Sequence, residues 1–487
     1  MLRISFLLLL AFTSFVQTIY ADTLDKINHI VIIYLENRSF DNLYGLFPGA
    51  EGVQGLTPAQ YQQVDNDGKP FSQLPPVWKN SRGDIDPAFS GKPPLPNRPF
   101  QLNAPPYNLA LNMPSHDLTH LFYVNQEQIN HGKNNRFAAA SNAGGLVMGY
   151  YDGSSMKLWQ LARQYTLADH FFMGAFGGSF LNHFWLACAC APEFPGAPAK
   201  LIAKLEDDGV TLKRGFFSHG SAMDGPPSFS RTGPITPDLY AVDAVQPPYQ
   251  PSKIPPAPGG DPRFADPSQY PLPPQTAKTI GDALSEKGIS WAWYTNDFNR
   301  AVAEYSQPAE VREKASHQVK FSTHHLPYNY FKNYAPGTKA RAEHLKDLQD
   351  LLAAIKAGTL PQVVFYKPDG IFSQHPGMDN IVEGDAHVAD LVAQIQKSPL
   401  WNSTLIIITY DENGGFWDHV PPPKGDRFGP GTRIPAILIS PYVKKGFVDH
   451  TQYDTTSILK LITRRFGLEP LPGLRANMGD LTEALVE

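Results

Sequence analysis

Two apolar runs of the sequence each end in residues that could bind a metal ion. They are residues 29–35, followed by Glu36 and Asn37, and residues 404–410, followed by Asp411 and Glu412. Short runs rich in β-branched residues are typical of strands buried on both faces of a parallel sheet, and ligands bind at the carboxyl ends of such strands. Carboxylate and amide oxygens are ligands for hard divalent cations. We therefore expect the two clusters to converge on one divalent cation, of unknown identity, at a site for phosphate chemistry.

A helix-capping turn is the alternative explanation of the first cluster. In that interpretation Asn37 or Ser39 caps a helix and Asp41 lies in its first turn. The second cluster favours the metal site, because a similar acidic ending recurs after a second buried strand. Gly414 and Gly415, which follow it, allow the backbone to approach a ligand closely.

A third motif, Gly177-Gly178-Ser179, offers a nucleophile. A strand-like run leads into the glycines, and a helical stretch over 180–190 follows the serine. Ser179 would then lie at a helix N-terminus, where free amides and the helix dipole stabilise an oxyanion or a phosphate. It is therefore a candidate nucleophile, activated by the metal rather than by a histidine base. The alternative is an ordinary N-cap serine.

Histidines recur in short, loop-like motifs. These are His116-Asp117, His324-His325, Gln374-His375-Pro376 and Asp418-His419. Adjacent histidines rarely share one face of a helix or strand, so the pair at 324–325 suggests a loop around an anion or a metal. A single histidine is more often structural or exposed, but four such motifs beside two acidic clusters favour a phosphate-binding site.

Between these motifs, predicted strands alternate with predicted helices. The elements are a helix over 276–287, strands over 289–294 and 362–366, a helix over 385–396, a strand over 434–439 and a helix over 457–466. In the second helix Val388, Leu391, Val392 and Ile395 follow helical spacing. This alternation predicts an α/β fold, an α/β/α sandwich with a largely parallel central sheet.

The N-terminus has the composition of a secretory signal peptide. A short positive segment is followed by an apolar stretch over 4–16, and Ala21 ends an acceptable cleavage site. We therefore expect residues 1–21 to be removed and the protein to be secreted or periplasmic; an uncleaved anchor is the alternative. No other stretch approaches the ~20 apolar residues that span a bilayer.

The remaining residues, 22–487, suit a single domain with proline-rich insertions near 55–106 and 225–274. Both insertions lack helical or alternating periodicity, so we expect long loops over the domain, or else disordered linkers. The formal charge of −5 does not indicate nucleic-acid binding. Cys188 and Cys190 are poorly spaced for a disulfide in a helix, so we expect them to be buried small apolar residues.

Three motifs resemble the bacterial phospholipase C and acid phosphatase family of phosphoesterases. They are ENRSFDNLYG at 36–45, YDENGGFWDHVPP at 410–422, and GTRIP at 431–435 followed by ISPY at 439–442. The resemblance covers about 30–468 outside the two insertions, and the first two motifs are specific. It implies an alkaline-phosphatase-like core with one phosphate site. It also implies a phospholipid or small phosphoester substrate, with transient contact to a membrane surface.

The resemblance also implies roles for individual residues. The metal ligands would be Glu36, Asn37, Ser179, Asp411 and Glu412, and the phosphate-contacting histidines would be His116, His324, His325 and His375. Ser179 would attack phosphorus to give a phosphoserine, while one histidine protonates the leaving group. Protonated histidines would bind phosphate best, so an acidic or near-neutral optimum is expected.

Two departures from the family pattern bear on the substrate. Phospholipase members usually have Gly-Pro-Thr-x-Pro-Asn-Arg around the nucleophile, whereas this sequence has GGSFLNH at 177–183. That difference favours the acid phosphatase branch and leaves His183 without a matched role. Asn413 stands where a histidine is usual, which argues against a ligand there.

The two acidic motifs nevertheless favour a phospholipase C that releases phosphorylated headgroups. The aromatic residues near the serine, Phe176, Phe180, Phe184 and Trp185, either form an apolar access surface or belong to the core. A broad-specificity acid phosphatase is the alternative within the family, and the missing Cys-x-Pro-x-Arg motif argues against a sulfatase. A secreted, non-catalytic binding protein is the alternative from another class.

Overall fold

The computed structural model describes residues 23–312 and 321–487, so the predicted signal peptide at 1–21 lies outside the described residues. The strands are β1 (His29–Leu35), β2 (Phe100–Gln101), β3 (Gly149–Tyr150), β4 (Thr166–Ala168), β5 (Phe171–Phe172), β6 (Trp291–Thr295), β7 (Leu345–Asp347), β8 (Val363–Lys367), β9 (Thr404–Tyr410), β10 (Ala436–Ile439), β11 (Phe447–Asp449) and β12 (Tyr453–Asp454). The α-helices are α1 (Phe40–Tyr44), α2 (Pro58–Tyr61), α3 (Phe122–Ile129), α4 (Lys157–Gln164), α5 (Ser179–Cys188), α6 (Ile280–Glu286), α7 (Phe298–Tyr305), α8 (Ala309–Arg312), α9 (Lys339–His344), α10 (Leu348–Ala357), α11 (Ile381–Lys397) and α12 (Thr455–Phe466). None of the helices in these described ranges is both long and apolar enough to cross a membrane.

The main sheet has eight strands in the order β11-β4-β10-β9-β1-β8-β6-β7. All of them run parallel except β10, which is antiparallel to both of its neighbours. In the register of the sheet, Leu35 of β1 is the partner of Tyr410 in β9, and Ile33 of β1 is the partner of Tyr366 in β8. The carboxyl ends of these three strands therefore lie side by side. The predicted α/β fold with a largely parallel sheet is confirmed.

Helices cover both faces of this sheet. Neighbouring residues of a strand point to opposite faces, so Tyr34 points away from the face that Leu35 and its partner Tyr410 share. The Tyr34 hydroxyl donates to the carbonyl of Asn182 in α5 at 3.3 Å, and the Tyr410 hydroxyl donates to the side chain of Gln374 at 2.6 Å, just before α11. On the first face α5 packs with α6 and α12, and on the second α11 packs with α4 and α10. The result is the expected three-layer sandwich.

Several element bounds differ from the sequence-based ones for identifiable reasons. The helix predicted over 276–287 begins only after Thr279, whose hydroxyl caps α6. The strand predicted over 434–439 begins after Pro435, because proline has no N–H to donate to a strand ladder. The helix predicted from residue 385 begins directly after Asn380, which caps α11.

The expectation for the cysteines is wrong, because Cys188 and Cys190 form a disulfide bond. Cys188 is the last residue of α5, and Ala189 leaves the helix in the left-handed region, with φ at 48°. This change of direction brings the two Cα atoms to 5.2 Å, within the usual range for disulfides. The two cysteines would be poorly spaced for a disulfide only in a helix that continued through both of them, and α5 ends at the first.

Both proline-rich insertions pack against the core. Apart from α2 and β2, residues 55–106 are irregular, yet Leu74 and Val77 are buried in the main hydrophobic cluster. In the second insertion Tyr249 and Leu272 are buried. Irregular backbone therefore lies over the core at both places, as loops rather than as free linkers.

Candidate active site

A cavity of about 200 Å³ opens where the strands end, and it contains much of the predicted site. Its lining includes the predicted residues Glu36, Ser179, His324, His325 and His375, together with Asp117, His120, Phe180, Asp243 and Met378. Asn37, Asp411 and Glu412 are fully buried and contact residues of this lining. Eight of the nine predicted site residues therefore belong to one region.

The two acidic clusters meet in the way the strand pattern predicts. The N–H of Asp411 donates to the carbonyl of Leu35 at 2.9 Å, so the chain that follows β9 runs beside the chain that follows β1. Gly414, with φ at 60°, lies against the backbone of Asn37, where a Cβ atom would come within 2.4 Å of the Asn37 carbonyl oxygen. This close approach requires glycine. The register of the sheet thus places the two acidic clusters side by side, and Gly414 allows their backbones to come into contact.

Lys367 joins the site from a third strand, and the sequence analysis missed it. It is the last residue of β8, and its side chain is fully buried. The ammonium group lies 3.0 Å from Oε1 of Glu36 and 3.5 Å from Oδ2 of Asp411. A charged residue at the end of an otherwise apolar strand was the available signal, of the same kind as the two acidic clusters.

Ser179 is the first residue of α5, with Gly178 as its N-cap. Its hydroxyl donates to Oδ1 of Asn37 at 3.3 Å and lies beside the carboxylate of Asp411. Asn37 has a φ of 66°, a left-handed conformation that asparagine tolerates better than most residues. The capping interpretation also holds, since Ser39 is the N-cap of α1. One segment therefore both caps a helix and supplies site residues.

The donors around Ser179 fit a hard divalent cation. Carboxylate, amide and hydroxyl oxygens come from Glu36, Asn37, Ser179, Asp411 and Glu412. Among the described residues, Oδ2 of Asp411 and Oε1 of Glu412 are buried and accept no hydrogen bond, and their cationic neighbours lie farther away, with Lys367 at 3.5 Å and His120 at 3.8 Å. A bound ion would supply the missing contact. Burial raises the pKa of Glu36 and Asp411, and it raises the pKa of Glu412 to about 8. A cation among these oxygens would keep the carboxylates ionised.

His325 connects this donor set to α5. Its Nε2 lies 3.1 Å from Oε1 of Glu36, and its Nδ1 lies 3.5 Å from Oδ1 of Asp369. The ring stacks on His183 with centroids 5.1 Å apart, and Nδ1 of His183 lies 2.6 Å from the carbonyl oxygen of Ser179. His183 thus holds the first turn of α5 against His325. Glu36, His325 and Asp369 are also close enough together to hold a metal ion, although the sequence did not point to Asp369.

The histidines of the cavity differ in charge. Burial lowers the pKa of His324 to about 3 and that of His375 to about 4, and it lowers the pKa of His325 well below its usual value. Burial therefore disfavours the charged form of all three rings, and a bound phosphate would have to offset that cost for them to be protonated.

His116 does not line the cavity, whereas His120, four residues later, does. Nε2 of His120 lies 3.8 Å from Oε1 of Glu412, and its ring centroid lies 5.9 Å from that of His375. Burial lowers the pKa of His120, but the carboxylates of Glu412 and Asp117 outweigh burial and raise it to about 9. Among the histidines of the cavity, His120 is therefore the one whose surroundings favour the protonated form. Both histidines stand in the same loop-like stretch, so sequence spacing could not choose between them.

The aromatic residues that follow Ser179 belong mainly to the core. Phe180, Phe184 and Trp185 are each at most 3% exposed, and Phe176 packs partly buried against the same cluster. Phe180 also contributes to the cavity lining. Phe180, Phe184 and Trp185 therefore offer almost no apolar surface to solvent, and the exposed apolar side chain in the described lining of the cavity is Met378.

The Asp418-His419 motif forms a buried ionic network outside the cavity lining. Nε of Arg433 donates to Oδ1 of Asp418 at 3.0 Å, and a terminal nitrogen of the same guanidinium donates to Oδ1 of Asp41 at 3.0 Å. Nδ1 of His419 lies 2.7 Å from Oδ2 of Asp41. Each of the three sequence motifs contributes to this network: Asp41 belongs to the first motif, His419 to the second and Arg433 to the third. The three motifs therefore meet in one place.

The sequence is similar to those of known phosphoesterases. The model of a family described as the phosphoesterase family matches residues 27–469. Phospholipase C A of Mycobacterium tuberculosis is 24% identical over 508 aligned residues, which cover 95% of this chain and 77% of that protein. Non-hemolytic phospholipase C of Burkholderia pseudomallei is 25% identical over 506 residues, which cover 95% of this chain and 59% of that protein.

Among solved structures, a protein of the alkaline phosphatase superfamily from Vibrio parahaemolyticus has a TM-score of 0.31 and 12% identity, over 79% of this chain and 76% of that one. The family match spans nearly the whole described chain and contains every site residue named above. The chain therefore belongs to the phosphoesterase family and is a hydrolase that acts on phosphoric ester bonds.

Proposed function

We propose that the protein is a metal-dependent phospholipase C that uses Ser179 as its nucleophile and releases phosphorylated headgroups from phospholipids. The observation that carries the proposal is the position of Ser179. Its hydroxyl lies 3.3 Å from Oδ1 of Asn37, beside Asp411, at a helix N-terminus that faces a cavity lined by histidines. Both relatives named above are called phospholipase C, which supports a lipid diester as the substrate.

In the proposed reaction, Ser179 loses its proton to water, and its oxygen forms a bond to phosphorus while the bond to the diacylglycerol oxygen breaks. The leaving oxygen takes a proton from His120, which lines the cavity with its Nε2 3.8 Å from Oε1 of Glu412. The free amides at the start of α5 stabilise the phosphoryl oxygens. In the second step His120 takes a proton from water as the water oxygen bonds to phosphorus. The bond between phosphorus and the Ser179 oxygen breaks, that oxygen regains a proton from solvent, and the phosphorylated headgroup is released.

The divalent cation would be held by Glu36, Asn37, Ser179, Asp411 and Glu412, and when bound it would lower the pKa of a hydroxyl and neutralise phosphate charge. Two residues that are not among these ligands hold Glu36 in position. His325 and Lys367 contact Oε1 of Glu36 at 3.1 and 3.0 Å and so hold the carboxylate in one orientation. A cavity of about 200 Å³ suits a phosphorylated headgroup, with the acyl chains left outside.

A broad-specificity acid phosphatase is the second candidate, and the segment at 177–183 favours it. His183 replaces the arginine usual in phospholipase members; its Nδ1 lies 2.6 Å from the carbonyl oxygen of Ser179, and its ring stacks on His325. The cavity therefore has no arginine at the position where phospholipase members have one. The described lining of the cavity contains no lysine or arginine, so a monoester would depend on His120 for charge.

An assay on two chromogenic esters separates these candidates. The purified protein and Ser179→Ala would be compared on p-nitrophenylphosphorylcholine and p-nitrophenyl phosphate, with and without a chelator. The exposed Ser72→Ala would serve as the matched control. The proposal expects the choline diester to be preferred, with activity lost in Ser179→Ala and in chelator. Preference for the monoester would establish the phosphatase, and activity retained by Ser179→Ala would overturn the site.

We also propose that the protein is exported after removal of residues 1–21. The positive start, the apolar stretch and the small residue at the cleavage site support this proposal. Mass spectrometry of protein collected outside the cytoplasm should give an N-terminus at about residue 22. Protein that retains residues 1–21 and remains in the cell would contradict it.

A further inference from the structure

Phe216 and Phe217 are the most exposed large apolar side chains in the described part of the chain. Their exposed fractions are 96% and 79%, while no other such side chain in that part exceeds 62%. The two rings contact each other edge to face, with centroids 5.3 Å apart. Adjacent exposed aromatic rings contribute nothing to the core and indicate a surface that binds a partner.

These two residues form the centre of a tight turn, 215–218, which we call the aromatic turn. The N–H of Ser218 donates to the carbonyl of Gly215 at 3.1 Å and closes the turn. The N–H of Gly215 donates to the carbonyl of Ser228 at 2.8 Å, and the Ser218 hydroxyl donates to the same carbonyl at 3.2 Å. Hydrogen bonds thus fix the turn to the neighbouring backbone.

Both flanks of the aromatic turn are anchored to the body of the protein. On one side Leu212 is buried and the guanidinium of Arg214 donates to the carboxylate of Glu127 in α3. On the other side Ala222 is buried and its N–H donates to Oδ1 of Asp65 at 2.8 Å. The rings are therefore held outward by a fixed frame, so little conformational entropy is lost when they bind.

We propose that the aromatic turn inserts into the interface of an electrically neutral phospholipid bilayer and so brings the enzyme to its substrate. Aromatic side chains on the surface of a protein bind bilayers through burial of apolar area at the headgroup boundary. The exposed charged residues nearest in sequence, Lys213 and Asp224, are of opposite sign, and the whole chain has a formal charge of −5. No positive excess favours anionic lipid, so apolar burial is the driving force.

This inference rests on the proposed function, because a phospholipase C must reach a substrate that lies in a bilayer. Phe180, Phe184 and Trp185 beside Ser179 are buried, and the apolar cavity-lining side chain Met378, which is 62% exposed, is less exposed than either ring of the turn. The aromatic turn would make the expected membrane contact, and its residues are separate from the catalytic residues.

Binding is tested first, in Ser179→Ala protein so that no lipid is consumed. The double variant Phe216→Ser/Phe217→Ser and the control Val311→Ser, whose side chain is 49% exposed, would be floated with phosphatidylcholine vesicles. The double variant should bind on the order of tenfold more weakly or worse, and the control should bind normally. Double substitution by Trp should retain binding. Equal binding by the Ser/Ser variant, or binding that requires anionic lipid and is lost on added salt, would overturn the proposal.

Catalysis supplies a second arm with the active protein. The Ser/Ser variant should hydrolyse phosphatidylcholine vesicles on the order of tenfold more slowly, yet p-nitrophenylphosphorylcholine at an unchanged rate. If the protein binds vesicles through the turn but hydrolyses no lipid, the proposed function fails and the membrane contact stands. If lipid is hydrolysed equally well by the Ser/Ser variant, the aromatic turn fails. A dimer that the double substitution dissociates would assign the turn to a second copy of the chain and also overturn the proposal.

Discussion

The ammonium group of Lys367 lies 3.0 Å from Oε1 of Glu36, at the point where three neighbouring parallel strands end. Both side chains are at most 2% exposed, so water provides almost none of their solvation. A second contact, 3.5 Å to Oδ2 of Asp411, makes this lysine a shared countercharge for the two acidic clusters. Buried carboxylates without such a partner are strongly disfavoured.

Replacement of this lysine should therefore destabilise the protein. Lys367→Met leaves Glu36 and Asp411 without their countercharge, and we expect the free energy of unfolding in chelator to fall by on the order of 3–5 kcal/mol. Added divalent cation should restore part of the loss, because it would take over the neutralisation. Urea unfolding measures both effects. The control Lys69→Met removes a surface pair whose lysine is 83% exposed and should unfold unchanged; equal stability of Lys367→Met would contradict the account.

His120 and His116 provide a matched pair for the phosphate-binding role. His120 lines the cavity with its Nε2 3.8 Å from Oε1 of Glu412, whereas His116 does not line it. We expect His120→Ala to lower kcat/KM by roughly 10²-fold or more, as for loss of a general acid, and His116→Ala to stay near the unsubstituted value. Steady-state kinetics on the choline ester measures kcat/KM for both variants. A larger loss in His116→Ala than in His120→Ala would show that His116, and not His120, belongs to the site.

The sequence predicted the strands that carry the acidic clusters because those runs are apolar, β-branched and abruptly ended. The bounds of β1 and β9 coincide with the predicted runs, and the parallel order that makes their ends meet followed from the alternation of strands and helices. Ser179 could be found because a glycine pair before a helix has a recognisable pattern. These features are local, and local patterns are visible in a single sequence.

The parts that the sequence did not reveal depend on long-range contacts. Lys367 acquires its role only from the order of strands, which puts β8 directly beside β1. His120 is distinguished from its neighbour only by where the loop folds, and the disulfide depends on the residue at which α5 ends. The pKa values of the cavity histidines follow from burial, which composition does not give.

The burial of Asp243 should make the free energy of unfolding depend on pH. Its Oδ1 accepts the N–H of Phe122 at 3.0 Å, and burial raises the pKa of its carboxyl from 3.8 to about 7. A raised pKa means that folding favours the protonated form, so its contribution is fully present below about pH 4 and is lost as the pH rises through 7. Asp243→Asn keeps the acceptor without the charge.

This substitution should therefore stabilise the protein at pH 8 by on the order of 1–4 kcal/mol and change little at pH 4. Urea unfolding of both proteins at the two pH values measures the difference. A variant that is less stable than the unsubstituted protein at pH 8 would show that the ionised carboxylate is satisfied by a partner in the fold.

Arg433 should matter for stability rather than for catalysis. Its guanidinium is fully buried between Asp41 and Asp418, with both carboxylates at 3.0 Å. Arg433→Met leaves two buried charges unpaired, and we expect a loss on the order of 3–5 kcal/mol. Arg427→Met is the matched control, because its partner Asp238 and the arginine itself are about half exposed, and it should cost less than about 1 kcal/mol. Thermal unfolding measures the loss of stability in both variants. Equal losses would show that the buried ion pairs of Arg433 stabilise the protein no more than the exposed pair of Arg427.

The central claim is that Ser179 becomes covalently phosphorylated during turnover. The direct measurement is an acid quench of the enzyme during hydrolysis of phosphatidylcholine, followed by peptide mass spectrometry. The account predicts a phosphorylated headgroup on the peptide that contains Ser179, released with time, and no adduct in Ser179→Ala. An adduct on another residue, or full turnover by Ser179→Ala, would contradict it.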